Sequence, residues 1–457
     1  MRAICLNFQV HQPFRFRRYR FFDIGNDHYY YDDYSNETIM RKAADQSYLP
    51  ANKIIMSLIK KYKDTFKVSF SISGTALEQF ELYAPEVLDS FIELAKTGQV
   101  EFTAGPYSQS LVALKNPDLF KQQVERHAAL MEELFGKRPT VLANSEKIYS
   151  DDISLMAAEM GYNTVLTEGA KHVLGWKSPN YLYCSAANPR VKLLMRNFPL
   201  SDDLSFRFGN QAWSEYPLTA DKYLKWLNTN TKDEVFNIFL DYDVFGGFQP
   251  KSTGIFSFLE SLPAAVAKQK NLKFAFPSEA AAMLQPVSAV TVSHPISWSN
   301  EERDLSIWLG NELQQEAFNK LYKLESRVKQ VDDKNLKKDW DYLQVCDHFY
   351  FMNTRFFSSA ASQLKYNPFE SPYEAFINYM NVLSDFELRL NSFVPESKVE
   401  KEIATLNELL AEKEEKLRKY ELELLNLQIG KKPQQPKAEK KGQAKAVKTA
   451  TKSTKKN

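Results

Sequence analysis

Two carboxylates stand alone at the ends of apolar runs in this chain. Glu146 follows the run 140–143 and the breaking pair Asn144-Ser145, and Asp241 closes the run 235–240 and leads into Tyr242-Asp243 and a Gly246-Gly247 turn. Short runs rich in β-branched and aromatic residues predict strands, and the polar residues after them predict turns. A carboxylate at each of two strand ends can cleave an acetal. One attacks or stabilises the anomeric carbon while the other delivers a proton to the leaving oxygen. If configuration is retained, the two carboxyl groups stand about 5–6 Å apart. Taken singly, each reads as a solvated loop acid; two acids in the same position on two strands read as a site.

The elements that must position them follow from periodicity. Apolar runs recur at 3–8, 67–72, 100–103, 140–143, 164–167, 235–240 and 272–276, and helical spacing falls between them at 52–62, 85–96 and 119–135. Alternating strands and helices predict a parallel sheet, and about seven strands without a GxGxxG fingerprint favour a barrel over a dinucleotide fold. Barrel ligands gather at the carboxyl ends of the strands. That selects His11 and Gln12 after the first strand, and Glu101, Tyr107 and Gln109 around the end of the third. Glu146 follows the fourth, Glu168, His172 and Trp176 the fifth, and Asp241 the sixth. Residues 19–36, dense in Tyr and Asp, predict a loop across the barrel mouth. Its rings suit stacking on sugars or packing down on the domain.

Composition bounds the rest. A chain of 457 residues with 13% aromatics can bury a large core. Its first residues run straight into a strand without a basic start, an apolar segment or a cleavage site, so no secretion signal is expected. No apolar run approaches about 18 residues, so no membrane partner is expected either. Cys5, Cys184 and Cys346 form no CxxC pair, which fits a reducing cytoplasm and argues against structural zinc. Residues 431–457 hold ten lysines and one glutamate, so the overall charge of +2 leaves −7 on residues 1–430. An acidic body argues against nucleic-acid binding, leaving contact with polyanions to the tail.

Beyond residue 290 the pattern turns to long helices, at 312–328, 338–351, 360–364 and 373–390, with Trp298, Asp304 and Trp308 at their entrance. Trp308, in the middle of WLGN, reads as packing at the barrel–bundle interface rather than lining a cleft. Val399, Ile403, Leu406, Leu410, Lys413, Leu417, Tyr420, Leu424 and Leu427 form a heptad seam. A homo-oligomer through residues 399–427 is the direct reading, folding back on the bundle the other. The expected organisation is a barrel over 1–290, a helical bundle over 291–392 completing the cleft, a coiled-coil helix over 393–430 and a disordered Lys-rich tail over 431–457.

His11-Gln12-Pro13, GQVEF at 98–102, NSEKIYSDDI at 144–153, LDYDVFG at 240–246 and ISWSNEERDLSIWLGN at 296–311 together resemble the five sequence regions of glycoside hydrolase family 57, its α-amylase-type members especially. The resemblance implies an α/β fold, an incomplete seven-stranded (β/α) barrel followed by a helical bundle. It also implies retaining cleavage of α-1,4-glucan. Glu146 matches the family's nucleophile and Asp241 its acid/base. His11 and Glu101 are then expected to hold sugar hydroxyls, and Tyr107, Gln109, Phe245, Trp298 and Asp304 to line the substrate cleft. Asp241 is expected to be the raised carboxyl and Glu146 the ionised one. No metal or cofactor is required.

Two departures stand out. Gln109 replaces a histidine of the amylase-type pattern, and Gly247-Phe248 replaces Glu-His. An α-amylase, a 4-α-glucanotransferase and a catalytically weak glucan-binding relative therefore remain open. A metal-dependent polysaccharide deacetylase ranks last, because the HxxxH pair is absent and the six histidines are scattered.

Overall fold

The computed structural model describes residues 2–355, 367–395, 406 and 409–420. Ten strands form one sheet: β1 (Arg2–Val10), β2 (Val68–Ile72), β3 (Val100–Phe102), β4 (Leu142–Ala143), β5 (Thr164–Glu168), β6 (Leu182–Ser185), β7 (Lys192–Arg196), β8 (Val235–Asp241), β9 (Leu272–Phe274) and β10 (Ala289–Val290). Parallel pairings run β3-β2-β1-β8-β7-β5-β4, and a parallel bridge from Ala104 to Leu142 joins the two ends of that series. The result is an α/β barrel-like fold. All nine residues of β1 are buried, as a central parallel strand covered on both faces requires.

One expected strand takes a different place. The run at 272–276 becomes β9, which pairs only with the first residues of β1, from Arg2 to Ile4. The position between β5 and β8 belongs to β7, whose Lys-Leu-Leu-Met-Arg sequence favours helix in isolation. β6 runs antiparallel to β7, and β10 extends β6.

The described residues up to Pro395 form one compact unit, and residues 406 and 409–420 belong to a second. In the first unit, helices Glu312–Lys323, Lys334–Leu343 and Pro372–Phe393 share one apolar core with barrel residues such as Tyr149 and Val165. The expected helix at 338–351 is broken at Val345, so that a new turn starts at Cys346. The helix expected at 360–364 lies outside the described residues. Residues 19–36 pack down on the helices. Tyr30 and Tyr31 hydroxyls donate to Asp385 and Asp339, each at 2.6 Å, and Asn378 accepts from the Tyr19 amide.

In the second unit residues 409–420 are helical, and the seam positions Leu406, Leu410, Leu417 and Tyr420 are exposed. The remaining apolar seam positions and the lysine-rich tail lie outside the described residues. No helix among the described residues is long and apolar enough to cross a membrane.

The core also carries a pH dependence. His127 and His348 are buried, and burial pushes both down from 6.5 to about 4. Between those values the unfolded chain binds protons that the folded chain refuses. Stability is therefore full above about pH 6.5 and falls as pH drops toward 4, by on the order of 3 kcal/mol per histidine. Urea unfolding at pH 7.5 and pH 5 reads this directly. Equal stability at the two values would show that the imidazoles are not desolvated.

Candidate active site

Glu146 owes its position to a strained turn. After β4, Ser145–Lys147 form one 3-10 turn in which Glu146 and Lys147 hold φ values of 53° and 56°. Left-handed backbone costs a non-glycine residue about 1 kcal/mol or more. The turn is held from three sides. The Lys147 amide donates to Asn144 O at 3.0 Å, the Trp298 amide to Glu146 O at 3.3 Å, and the Thr167 hydroxyl to Lys147 O at 3.4 Å. The following helix, Asp151–Glu159, is capped by Ser150 and carries Asp151 and Asp152 in its first turn, as its sequence predicts.

Asp241 is the last residue of β8 and pairs in register with Gln9 of β1. The turn after it needs Gly246, which holds a φ of 96°, and whose Cβ would fall 1.8 Å from Gln46 O. Glu146 and Asp241 form part of the wall of one cavity, with Gln9, His11, Gln12, Asp243, Phe248, Trp308, Cys346, Asp347, Tyr350 and Phe351 around them.

Three side chains offer protons to Glu146. Trp298 Nε1 donates at 2.5 Å, Gln109 Nε2 at 3.2 Å and the Cys346 thiol at 3.6 Å. Burial pushes the Glu146 carboxyl up, while the Lys147 charge and the Trp298 N–H pull it back. Glu146 was expected to be the ionised carboxyl, and its burial works against that charge. Cys346 stays a neutral thiol, raised by burial and then by Glu146.

Across the cavity His11 bridges Ser73 Oγ, at 2.7 Å from Nδ1, and Asp347 Oδ2, at 2.9 Å from Nε2. Burial works to raise Asp347, but His11 prevails and holds it below the usual carboxylate range. An ionised carboxylate only accepts, so His11 Nε2 carries a proton. Sequence reading missed Asp347 and Cys346. The signal was an acid set in the largely apolar and aromatic stretch from Val345 to Phe351, an unusual place for a charge. Trp308, assigned to the interface, is buried and also forms cavity wall.

Other expected cleft residues sit elsewhere. Glu101 pairs in register with Ser69 and through it with Asn7, below the strand ends, and its carboxylate accepts from the Ser278 amide at 3.2 Å. Tyr107 donates to Glu78 at 2.6 Å under the Arg126 guanidinium. Phe245 points into the core against Phe8. Asp304 accepts from Ser306 N at 2.9 Å and Asn300 Nδ2 at 2.5 Å, closing its own loop. None of these four lines the cavity, because each has its polar group or ring committed to the scaffold. Glu168 is buried against Arg196 at 3.2 Å, whereas His172 and Trp176 are exposed. Among the described residues no group of three or more His, Cys, Asp or Glu is placed to hold a metal ion.

Two carboxylates in one cavity, one with three donors and the other at a strand end, can attack and protonate an acetal without further groups. The model of glycosyl hydrolase family 57 matches residues 5–293. A Methanocaldococcus jannaschii protein named "Putative alpha-amylase" is 38% identical over 411 residues, 87% of each chain. A branching enzyme of the same family from Thermococcus kodakaraensis superposes with a TM-score of 0.62 at 12% identity, over 89% of this chain and 94% of that one. A 4-alpha-glucanotransferase from Thermococcus litoralis gives a TM-score of 0.58 at 16% identity, over 82% of this chain and 59% of that one. The two structural likenesses bear on the fold alone, whereas the family model spans most of the chain and the 38% relative nearly all of it. The chain belongs to glycosyl hydrolase family 57.

Proposed function

We propose that this chain cleaves α-1,4-glucan with retention of configuration, passing the glycosyl group to water or to a sugar hydroxyl. The observation that supports this best is the presence of Glu146 and Asp241 in one cavity wall. Ionised Glu146 attacks the anomeric carbon as Asp241 gives its proton to the leaving glycosidic oxygen, forming a glycosyl ester. Asp241, now a carboxylate, takes a proton from water or an acceptor hydroxyl, which attacks the same carbon and frees Glu146. Positive charge developing on the sugar favours the ionised nucleophile that burial alone disfavours. His11 and Asp347, side by side on the wall, are suited to hold sugar hydroxyls, and Trp308 and Tyr350 offer faces for the rings. The substrate class is supported by the amylase name of the 38% identical relative.

Product analysis after incubation with maltoheptaose tests the reading. Shorter oligosaccharides alone mean hydrolysis, and a ladder of shorter and longer ones means transfer. Maltoheptaose left intact at high protein concentration contradicts both, and measurable binding in that case would favour a glucan-binding role.

A further inference from the structure

A layer of buried and partly buried ions is left unused by the mechanism above. Arg196 donates to Glu168 at 3.2 Å, to Asp202 at 2.5 Å and to Phe239 O at 2.6 Å, and Arg303 reaches Asp202 at 3.3 Å and Trp298 O. Two guanidinium groups are thereby matched by Glu168 and Asp202. Lys147 is the cation left over in this layer. Its side chain is buried and, among the described residues, makes no direct ion pair.

The Lys147 Nζ instead lies 4.3 Å from the centre of the Phe239 ring and 5.7 Å from that of Trp298. Phe239 precedes Asp241 by two residues on β8, so the two project from the same face of the strand. Trp298 is the donor to Glu146. The ammonium therefore contacts a ring two residues before Asp241 and the ring bonded to Glu146. Cation–π contact repays only part of what desolvating a lysine costs, and the left-handed backbone adds to that cost.

We propose that Lys147 is a positioning residue whose ammonium supplies the counter-charge that keeps Glu146 ionised as the nucleophile. The proposal rests on the role given to Glu146 above. The groups facing Lys147 are Asp241, Glu146 and Glu168, which favour its charge, and Arg196, which opposes it; burial outweighs each and lowers its pKa. Around Glu146, Lys147 is the strongest influence against burial, ahead of Trp298, while Asp347 and Asp241 push the other way. Removing the cation raises Glu146, so the pH at which activity is lost on the acid side moves upward.

K147M, K147Q and K147R are compared with the wild type in kcat/KM for maltoheptaose against pH. Loss of charge in K147M and K147Q is expected to move the acid limb up by about one pH unit, the scale of one nearby opposite charge. K147R, which keeps the charge, leaves the limb near the wild-type position. A uniform fall in rate with an unmoved limb would reduce Lys147 to packing and overturn the proposal. Infrared titration of the Glu146 carboxyl, with E146Q as the blank, reads the same ionisation without turnover. It therefore decides even if the wild type cleaves no glucan, an outcome that would count against the proposed function and not against the counter-charge. In the wild type itself, Glu146 protonated at neutral pH overturns the proposal whatever the variants do.

Discussion

Glu146→Gln is expected to lower the turnover of α-1,4-glucan by at least about three orders of magnitude, the scale on which loss of a nucleophile acts. Binding should survive, because the amide keeps the shape of the carboxylate in a wall otherwise unchanged. The cavity makes this a clean experiment. Glu146 accepts from Trp298 and Gln109, and a glutamine at 146 keeps one acceptor oxygen for the stronger donor. The variant also takes a negative charge away from the buried Lys147, so its fold is checked by thermal unfolding beside the kinetics. Steady-state rates on maltoheptaose, with calorimetric titration of the same ligand, separate the two effects. Equal rates in both proteins would remove Glu146 from the chemistry.

Asp241→Asn is expected to produce a deficit that depends on the leaving group. With natural glucan, whose departing hydroxyl needs a proton, the rate should fall by about 10²–10⁴, the range for a lost general acid. With an aryl α-glycoside of acidic phenol the departing oxygen needs little help, so the first step should proceed much closer to the wild-type rate. Hydrolysis of the ester then becomes slow, because the same residue must activate water. This asymmetry distinguishes an acid/base from a residue that only shapes the cavity, and the latter would depress both substrates alike. Presteady-state measurement with the aryl substrate checks it: a burst of phenol followed by a slow phase is the expected trace, and equal slowing on both substrates speaks for a structural role.

Much of the scaffold was legible because apolar runs that end in acids leave little choice. Residues 140–143 and 235–240 could bury themselves only as central strands, and their end residues then had to face the mouth. β7 escaped because Lys-Leu-Leu-Met-Arg carries helix-forming residues, and only the gap between β5 and β8 makes it a strand. Glu101 misled for a geometric reason, since pattern places it on a strand but cannot say how far along the barrel it stands. Phe245 misled because a ring after a catalytic acid can turn either way, and Phe8 and Tyr242 draw it inward. The acid within the aromatic stretch marks Asp347 as unusual, but no local signal ties Asp347 or Cys346 to Glu146. They reach Glu146 across two hundred residues of sequence, so only the folded helices bring them there.

The most direct test of the account is to catch the ester. Asp241→Asn is mixed with an α-maltooligosaccharide carrying a good leaving group, then acid-quenched, digested and analysed by mass spectrometry. The expected result is a glycosyl mass on the peptide containing Glu146, absent when Glu146→Gln is combined with Asp241→Asn. A glycosyl mass on a peptide with another carboxylate, or an inverted anomer as the first product of the wild type, would contradict the assignment of Glu146 as nucleophile.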